Sequence, residues 1–153
     1  KRAAQWERWQ RSVLPMLLPE LARLLHETKS LRSLDRCRPQ TPSCACNRRS
    51  HKVAVMHFLS IEDMEIHVCD CTPAAVQLMR LGAFGCAPML PLLAMDLRVL
   101  EFAMNLFLQI SPNNTAFSLT LERVLANMGF QLEHQNSLRR RFGNCLMWYT
   151  HLR

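Results

Sequence analysis

Four cysteines form two pairs with a single residue between the members, Cys44-x-Cys46 and Cys69-x-Cys71. The segment between the pairs reads as a β-hairpin, which returns its two ends to the same place. Four thiolates gathered there match the tetrahedral, sulfur-rich coordination of structural zinc sites, which leave no position open for catalysis. The sequence therefore predicts one structural Zn²⁺ held by these four residues.

Two other residues lie close enough in the sequence to replace one of the four ligands, namely Cys37 and His51. Disulfides or free thiols are the alternative use of the cysteines. Against disulfides, the count of seven cysteines is odd, Cys86 and Cys145 lie in apolar surroundings, and no signal peptide is visible. The absence of a signal peptide leads us to expect an intracellular protein.

The hairpin prediction rests on the pattern of side chains. Residues 52–59 are rich in β-branched and large apolar residues, and after a short polar turn residues 64–68 alternate between apolar and polar ones. In the second strand Met64, Ile66 and Val68 share one face. We expect this face to pack and the opposite face to meet water.

Most of the remaining chain reads as helix. Thr72 and Pro73 give a start signal directly after the second cysteine pair, and Gly82 gives the stop. Three further amphipathic segments with short connections predict a helical bundle. These segments are residues 92–110, 115–128 and 136–152. The predicted fold class is thus α+β but mostly α, with a small zinc-stapled β-hairpin and a helical bundle.

At the N-terminus Trp6, Trp9 and Val13 form one helical stripe, and Pro15 and Pro19 interrupt this pattern. We expect Pro19 to begin a second helix that ends near Lys29. A length of 153 residues with 49% hydrophobic residues allows one sizeable core. The residues expected to share that core are Leu100, Phe142, Trp148 and Tyr149.

The predicted organisation is one compact unit made of three segments. They are an N-terminal helical segment (1–35), the zinc-binding hairpin with its following helix (36–82) and the helical bundle (83–153). No apolar run approaches the ~20 residues that span a bilayer, so no membrane partner is expected. The chain also contains no glycine-rich phosphate loop, nucleophile elbow or His-Glu-x-x-His motif. We therefore predict no catalytic residues and no small-molecule substrate.

Basic charge is concentrated in the first third of the chain. The net charge is +7, of which residues 1–52 contribute +8 and residues 53–153 contribute −1. Clustered cations neutralise phosphates, so DNA is a predicted partner, although a solvated loop would have the same composition. A second basic run, residues 139–141, lies in a predicted helix, where a solvated face or a contact with an acidic partner inside a larger protein is favoured over DNA contact. The predicted nucleic-acid-binding residues are Arg36, Arg38, Arg48, Arg49 and Lys52.

Several stretches of the sequence, taken together and in this order, look like one known family. They are residues 9–32, the two Cys-x-Cys pairs, residues 77–84 with Ala87-Pro88 and Pro91, residues 94–97, 111–116 and 138–142, and Trp148-Tyr149. In this combination the chain resembles the CxC-type cysteine cluster domain associated with KDZ transposases, which is typical of fungal genomes. Gly85-Cys86 departs from the family, where a proline-containing segment is expected.

This resemblance implies a non-catalytic zinc-binding module that lies upstream of a ribonuclease H-like nuclease domain. The chain alone is then not expected to be an enzyme, whereas the full-length protein would be a transposase of the nucleus. The implied partners are DNA and the nuclease domain of the same protein. Two functions stay open: a contribution to DNA binding, or a packing or oligomerisation module that docks on the nuclease domain.

Overall fold

The computed structural model describes residues 2–36, 43–132 and 138–153. The helices are α1 (Arg2–Arg8), a π-helical turn (Trp9–Val13), α2 (Leu14–Glu27), a 3-10 helix (Leu34–Arg36), α3 (Ala74–Arg80), α4 (Leu97–Gln109), α5 (Asn114–Asn127) and α6 (Leu138–Leu152). The strands are β1 (Arg49–Met56), β2 (Ile61–Val68), β3 (Ala83–Gly85) and β4 (Leu93–Asp96). The predicted fold class, mostly α with a β-hairpin, is confirmed.

The four strands form one sheet in the order β2-β1-β4-β3. Strands β1 and β2 are the predicted antiparallel hairpin, while β4 runs parallel to β1 and pairs antiparallel with β3. The prediction of one helix over residues 92–110 is therefore wrong at its start, because residues 93–96 are a strand. This strand is buried on both faces, so its apolar run carries no alternation that would separate it from a helix.

Each face of the sheet packs against helices over part of its area. The predicted packing face of β2 is confirmed, since Ile66 and Val68 are buried while Glu65 and His67 are exposed. With Val53 and Val55 of β1, these buried residues form a cluster against α3. The other face contributes Met56, Leu93 and Met95 to the main core. The hairpin is thus held between α3 and the helical body.

Aromatic rings make up much of the main core. Trp9 stacks on Phe84 and on Trp148 with ring centroids 5.3 and 5.6 Å apart, and Phe117 stacks on Phe142 at 4.8 Å. The expectation that Leu100, Phe142, Trp148 and Tyr149 share one core is confirmed. The boundaries proposed for the three segments stay a prediction.

The N-terminal helix continues through both prolines, so the predicted interruption is wrong. The π-helical turn directly precedes α2, whose second residue is Pro15, and Pro19 lies inside α2. Trp9 and Val13 are buried and fix this part of the helix on the core. A π-turn loosens the local hydrogen-bond pattern, and tertiary packing then outweighs the helix-breaking tendency of proline. None of the helices described is both long and apolar enough to cross a membrane.

Candidate metal centre

The two Cys-x-Cys pairs meet at the open end of the hairpin. Cys44 and Cys46 lie in the loop before β1, and Cys69 directly follows β2, whose last residue pairs with the first residue of β1. The Sγ atoms of Cys44 and Cys69 are 3.4 Å apart, and those of Cys46 and Cys71 are 3.0 Å apart. The Sγ atoms of Cys44, Cys46 and Cys71 all lie within 4.8 Å of one another. The four thiols are therefore close enough to hold a metal ion.

The spacing and chemistry of these sulfurs fit zinc. Tetrahedral zinc with Zn–S bonds of about 2.3 Å places its sulfurs about 3.8 Å apart, whereas a disulfide joins them at about 2.05 Å. The observed separations of 3.0 and 3.4 Å are closer to the zinc arrangement. All six cysteines among the described residues are free thiols. Cys69 lies outside the group of three mutually close sulfurs, so its Sγ would have to move toward Cys46 and Cys71 to complete a four-sulfur shell.

The loop that carries Cys69 and Cys71 is held by backbone and side-chain hydrogen bonds. The N–H of Cys69 donates to the carbonyl of Thr72 at 3.3 Å, and the N–H of Thr72 donates back to Cys69 at 3.2 Å. The amide of Gln77, buried in α3, donates to Thr72 at 3.1 Å and also to the carbonyl of His67. Gln77 therefore ties both ends of this loop to α3.

Gln77 was not among the predicted site residues. In the sequence, Gln77 is distinguished only as a single amide side chain within the apolar run of α3. The start of that helix also differs slightly from the prediction, since Pro73 is the N-cap and Ala74 the first helical residue.

The loop that carries Cys44 folds back on β1 through Arg48, whose Nη2 donates to the Cys44 carbonyl at 2.9 Å. A hydrogen bond from the Cys46 backbone is the main cause that lowers the pKa of the Cys44 thiol to about 7. The hydrogen bond with Cys71 raises the pKa of Cys46. Cys44 thus readily supplies the thiolate form, which is the form that binds metal.

The two reserve ligands are placed differently. His51 lies within β1, and its Nε2 is 2.9 Å from the carbonyl oxygen of Pro91, which commits this nitrogen to a hydrogen bond. Cys37 lies outside the described residues, as does Arg38 of the predicted nucleic-acid surface.

The structure brings part of the predicted basic surface to the metal centre. Arg48 and Arg49 are exposed and lie beside the cysteines at the start of β1. Lys52 is three residues further along the strand, so its side chain lies on the opposite face of the sheet from Arg49. Arg36 ends the 3-10 helix, and its side chain is outside the described set. Contact with DNA stays a prediction.

A second polar cluster, absent from the predicted site, lies at the start of α4. Asp96 caps this helix by accepting from the N–H of Arg98 at 2.7 Å, and its side chain is only 3% exposed. The His57 ring lies 2.6 Å from this carboxylate, and the Arg98 guanidinium lies 2.8 Å from it. Burial raises the pKa of Asp96, but the hydrogen bonds from His57 and Arg98 outweigh burial and hold this pKa below its usual range. The cluster ties the end of β1 to α4.

In a comparison with known protein families, residues 28–128 match the model of a family described as CxC1 like cysteine cluster associated with KDZ transposases. The chain belongs to this family. The match contains both Cys-x-Cys pairs, the whole sheet and helices α3 to α5. The CxC1-like family is a cysteine cluster domain and is not itself a catalytic domain. No curated protein and no solved structure matches the chain.

Proposed function

We propose that this CxC1-like domain is a zinc-binding, non-catalytic module of a KDZ-type transposase and that it contributes to DNA binding. The observation that carries the proposal is the meeting of two Cys-x-Cys pairs at the base of the hairpin, with Sγ separations of 3.0 and 3.4 Å. Work on DNA would place the protein in the nucleus.

The donor set argues for zinc in particular. Thiolates select zinc, whereas Mg²⁺ and Ca²⁺ prefer oxygen ligands. Cys44, Cys46, Cys69 and Cys71 would hold the ion, which supplies a cross-link between the loop before β1 and the loop before α3. Four protein sulfurs leave no coordination position for water or substrate, so the proposed role is structural.

Arg48 and Arg49 are the centre of the proposed DNA contact. Five other arginines are engaged by carboxylates, namely Arg11, Arg23, Arg80, Arg98 and Arg153. Among the described residues no carboxylate pairs with Arg48 or Arg49, so these charges remain available to phosphates. A loop fixed by metal presents cations at a lower entropic cost than a mobile loop.

The other proposed members of this surface are weaker candidates. Arg36 and Arg38 stay in the set because they flank the same cysteines in the sequence. Lys52 contributes least, since it lies on the opposite face of the sheet from Arg49 and shares a groove with Asp63 and Glu65.

A salt titration with duplex DNA tests this proposal. Each neutralised phosphate contributes about 0.9 to the slope of log affinity against log salt, so three contacts predict a slope near −3. Combining Arg48→Glu with Arg49→Glu should weaken binding on every DNA sequence and reduce the slope to about −1. The matched control is Arg139→Glu with Arg140→Glu, which changes the same amount of charge on exposed residues of α6.

Metal content is measured on each of these variants, because Arg48 also holds the Cys44 carbonyl. Unchanged DNA affinity in a double variant that retains its metal would contradict the proposed surface. A native protein whose DNA binding shows no salt dependence would do the same.

The second candidate is a packing module that docks on the nuclease domain of the same protein. The observation that favours it is an apolar surface at the hairpin tip and along α4, where Phe58 and Phe102 meet edge to face at 5.4 Å. Leu59 and Leu108, 63% and 76% exposed, lie on the same two elements. Exposed apolar patches of this kind mark interaction surfaces. Unchanged DNA affinity in the Arg48 and Arg49 double variant would favour this second candidate.

A further inference from the structure

Strand β2 is an outer strand of the sheet, since the order β2-β1-β4-β3 leaves it with a single neighbour. Its eight residues pair with β1 along their whole length. Within the described ranges no other strand pairs with its outer side. An open edge of this length offers a row of backbone N–H and C=O groups to another extended segment.

The pairing pattern shows which groups point outward. The N–H of Ala54 in β1 donates to the carbonyl of Leu92 on the β4 side, so it does not point toward β2. Ala54 is opposite Asp63. Ala54 and Asp63 are therefore a pair that exchanges no backbone hydrogen bonds. In an antiparallel ladder such pairs alternate with hydrogen-bonded pairs, so every second residue of β2 directs its backbone N–H and C=O away from β1. The residues of β2 with outward backbone groups are therefore Ile61, Asp63, Glu65 and His67.

A groove lies beside this edge, on the face of the sheet that carries the side chains of Asp63 and Glu65. It has a volume of about 680 Å³ and lies between the hairpin, residues 129–132 and Arg141 of α6. Ile61, Asp63 and Glu65 of β2 line it, together with apolar residues such as Leu92 and Phe130. Alternate side chains of a strand added to β2 would point toward this groove.

The outer strand itself carries negative charge, whereas the two basic residues that line the groove, Lys52 and Arg141, lie on β1 and α6. Residues 61–71 contain four carboxylates and no Lys or Arg in a chain whose net charge is +7. The four are Glu62, Asp63, Glu65 and Asp70. Asp63 and Glu65 lie at outward positions, where opposite charges on a neighbouring strand attract and like charges repel. A second copy would bring carboxylates against carboxylates, so pairing of β2 with itself is disfavoured.

We propose that the outer edge of β2 binds an extended segment of a partner protein in which Lys or Arg alternates with apolar residues. The segment adds a fifth strand through the outward backbone groups of Asp63 and Glu65. Its basic side chains lie on the groove face, where they meet the carboxylates of these two residues, and its apolar side chains lie on the opposite face.

The experiment uses the full chain and the probe acetyl-Lys-Val-Lys-Thr-Lys-Val-Lys-amide. Fluorescence anisotropy measures its binding, and amide hydrogen exchange followed by NMR locates it. We expect added protection at the amides of Asp63 and Glu65 but not at Met64, whose amide already bonds to β1. Combining Asp63→Asn with Glu65→Gln should weaken binding by about tenfold.

Two controls separate edge pairing from general attraction. Glu7→Gln with Glu27→Gln removes the same charge from exposed helix positions and should leave the affinity unchanged. A probe with a central proline should bind poorly, because proline cannot continue the strand ladder. Equal binding by the Asp63 and Glu65 variant, equal binding of the proline probe, or no binding at all would overturn the proposal. If the probe does not bind at all, the carboxylates of β2 serve only to prevent this edge from pairing with other chains in aggregates.

Discussion

A Cys69→Ser variant should lose most of its bound zinc and with it the folded base of the hairpin. Serine does not form the anionic sulfur ligand that zinc requires, and Cys69 is the member of the cluster that contacts Cys44 at 3.4 Å. Zinc affinity is coupled to folding in small structural sites, with apparent binding energies of about 10–16 kcal/mol in zinc-finger peptides. Metal analysis and thermal unfolding of the purified variant measure both effects.

The matched control is Cys86→Ser, which changes a partly buried cysteine outside the cluster and should retain zinc. Undiminished zinc in the Cys69 variant would remove Cys69 from the ligand set. If Cys37→Ser loses the metal and Cys44→Ser does not, Cys37 replaces Cys44 as the fourth ligand.

An Asp96→Asn variant should be destabilised by about 2–3 kcal/mol, because hydrogen bonds to charged groups contribute about that much. The carboxylate is almost fully buried and accepts from both His57 and Arg98. Asparagine keeps the shape and the helix cap but loses the charge. Urea unfolding at neutral pH measures the difference in free energy of unfolding.

The same variant has a defined pH dependence. The pKa of Asp96 is lower in the folded protein than its usual value, so the carboxylate stabilises the fold above the unfolded-state pKa of about 4. This contribution is lost as the pH falls through the lowered pKa of the folded state. The stability difference between the native protein and Asp96→Asn should therefore shrink on acidification below about pH 4.

The control for this prediction is Asp35→Asn, which removes a carboxylate from the same arginine. Asp35 lies 3.0 Å from Arg98 but its side chain is 78% exposed, and surface ion pairs contribute little. Equal destabilisation by the Asp35 and Asp96 variants would contradict the role assigned to burial.

Local patterns made the hairpin and the helices predictable. The alternation of residues 64–68 and the Cys-x-Cys pairs at both ends of the hairpin are encoded within about 30 neighbouring positions. The apolar stripe of α6 likewise predicted the burial of Phe142 and Tyr149 from sequence alone. The approach of the four thiols follows directly once the hairpin closes.

Features that depend on contacts between residues far apart in the chain could not be predicted from local sequence patterns. Strand β4 pairs with β1 across about 40 residues, and a strand buried on both faces has no polar side to reveal its period. Asp96 reads as the polar side of a helix until the fold brings His57 against it. The π-helical turn before Pro15 is stable because Trp9 is packed between Phe84 and Trp148, contacts with residues far away in the chain.

X-ray absorption at the zinc edge, on native protein purified without added chelator, tests the metal centre most directly. The proposed site predicts about one zinc per chain with four sulfur neighbours at about 2.3 Å. A shell that contains nitrogen or oxygen would show that one of the four cysteines is not a ligand. A folded protein without zinc, its four cysteines free or joined as disulfides, would contradict the proposed zinc site.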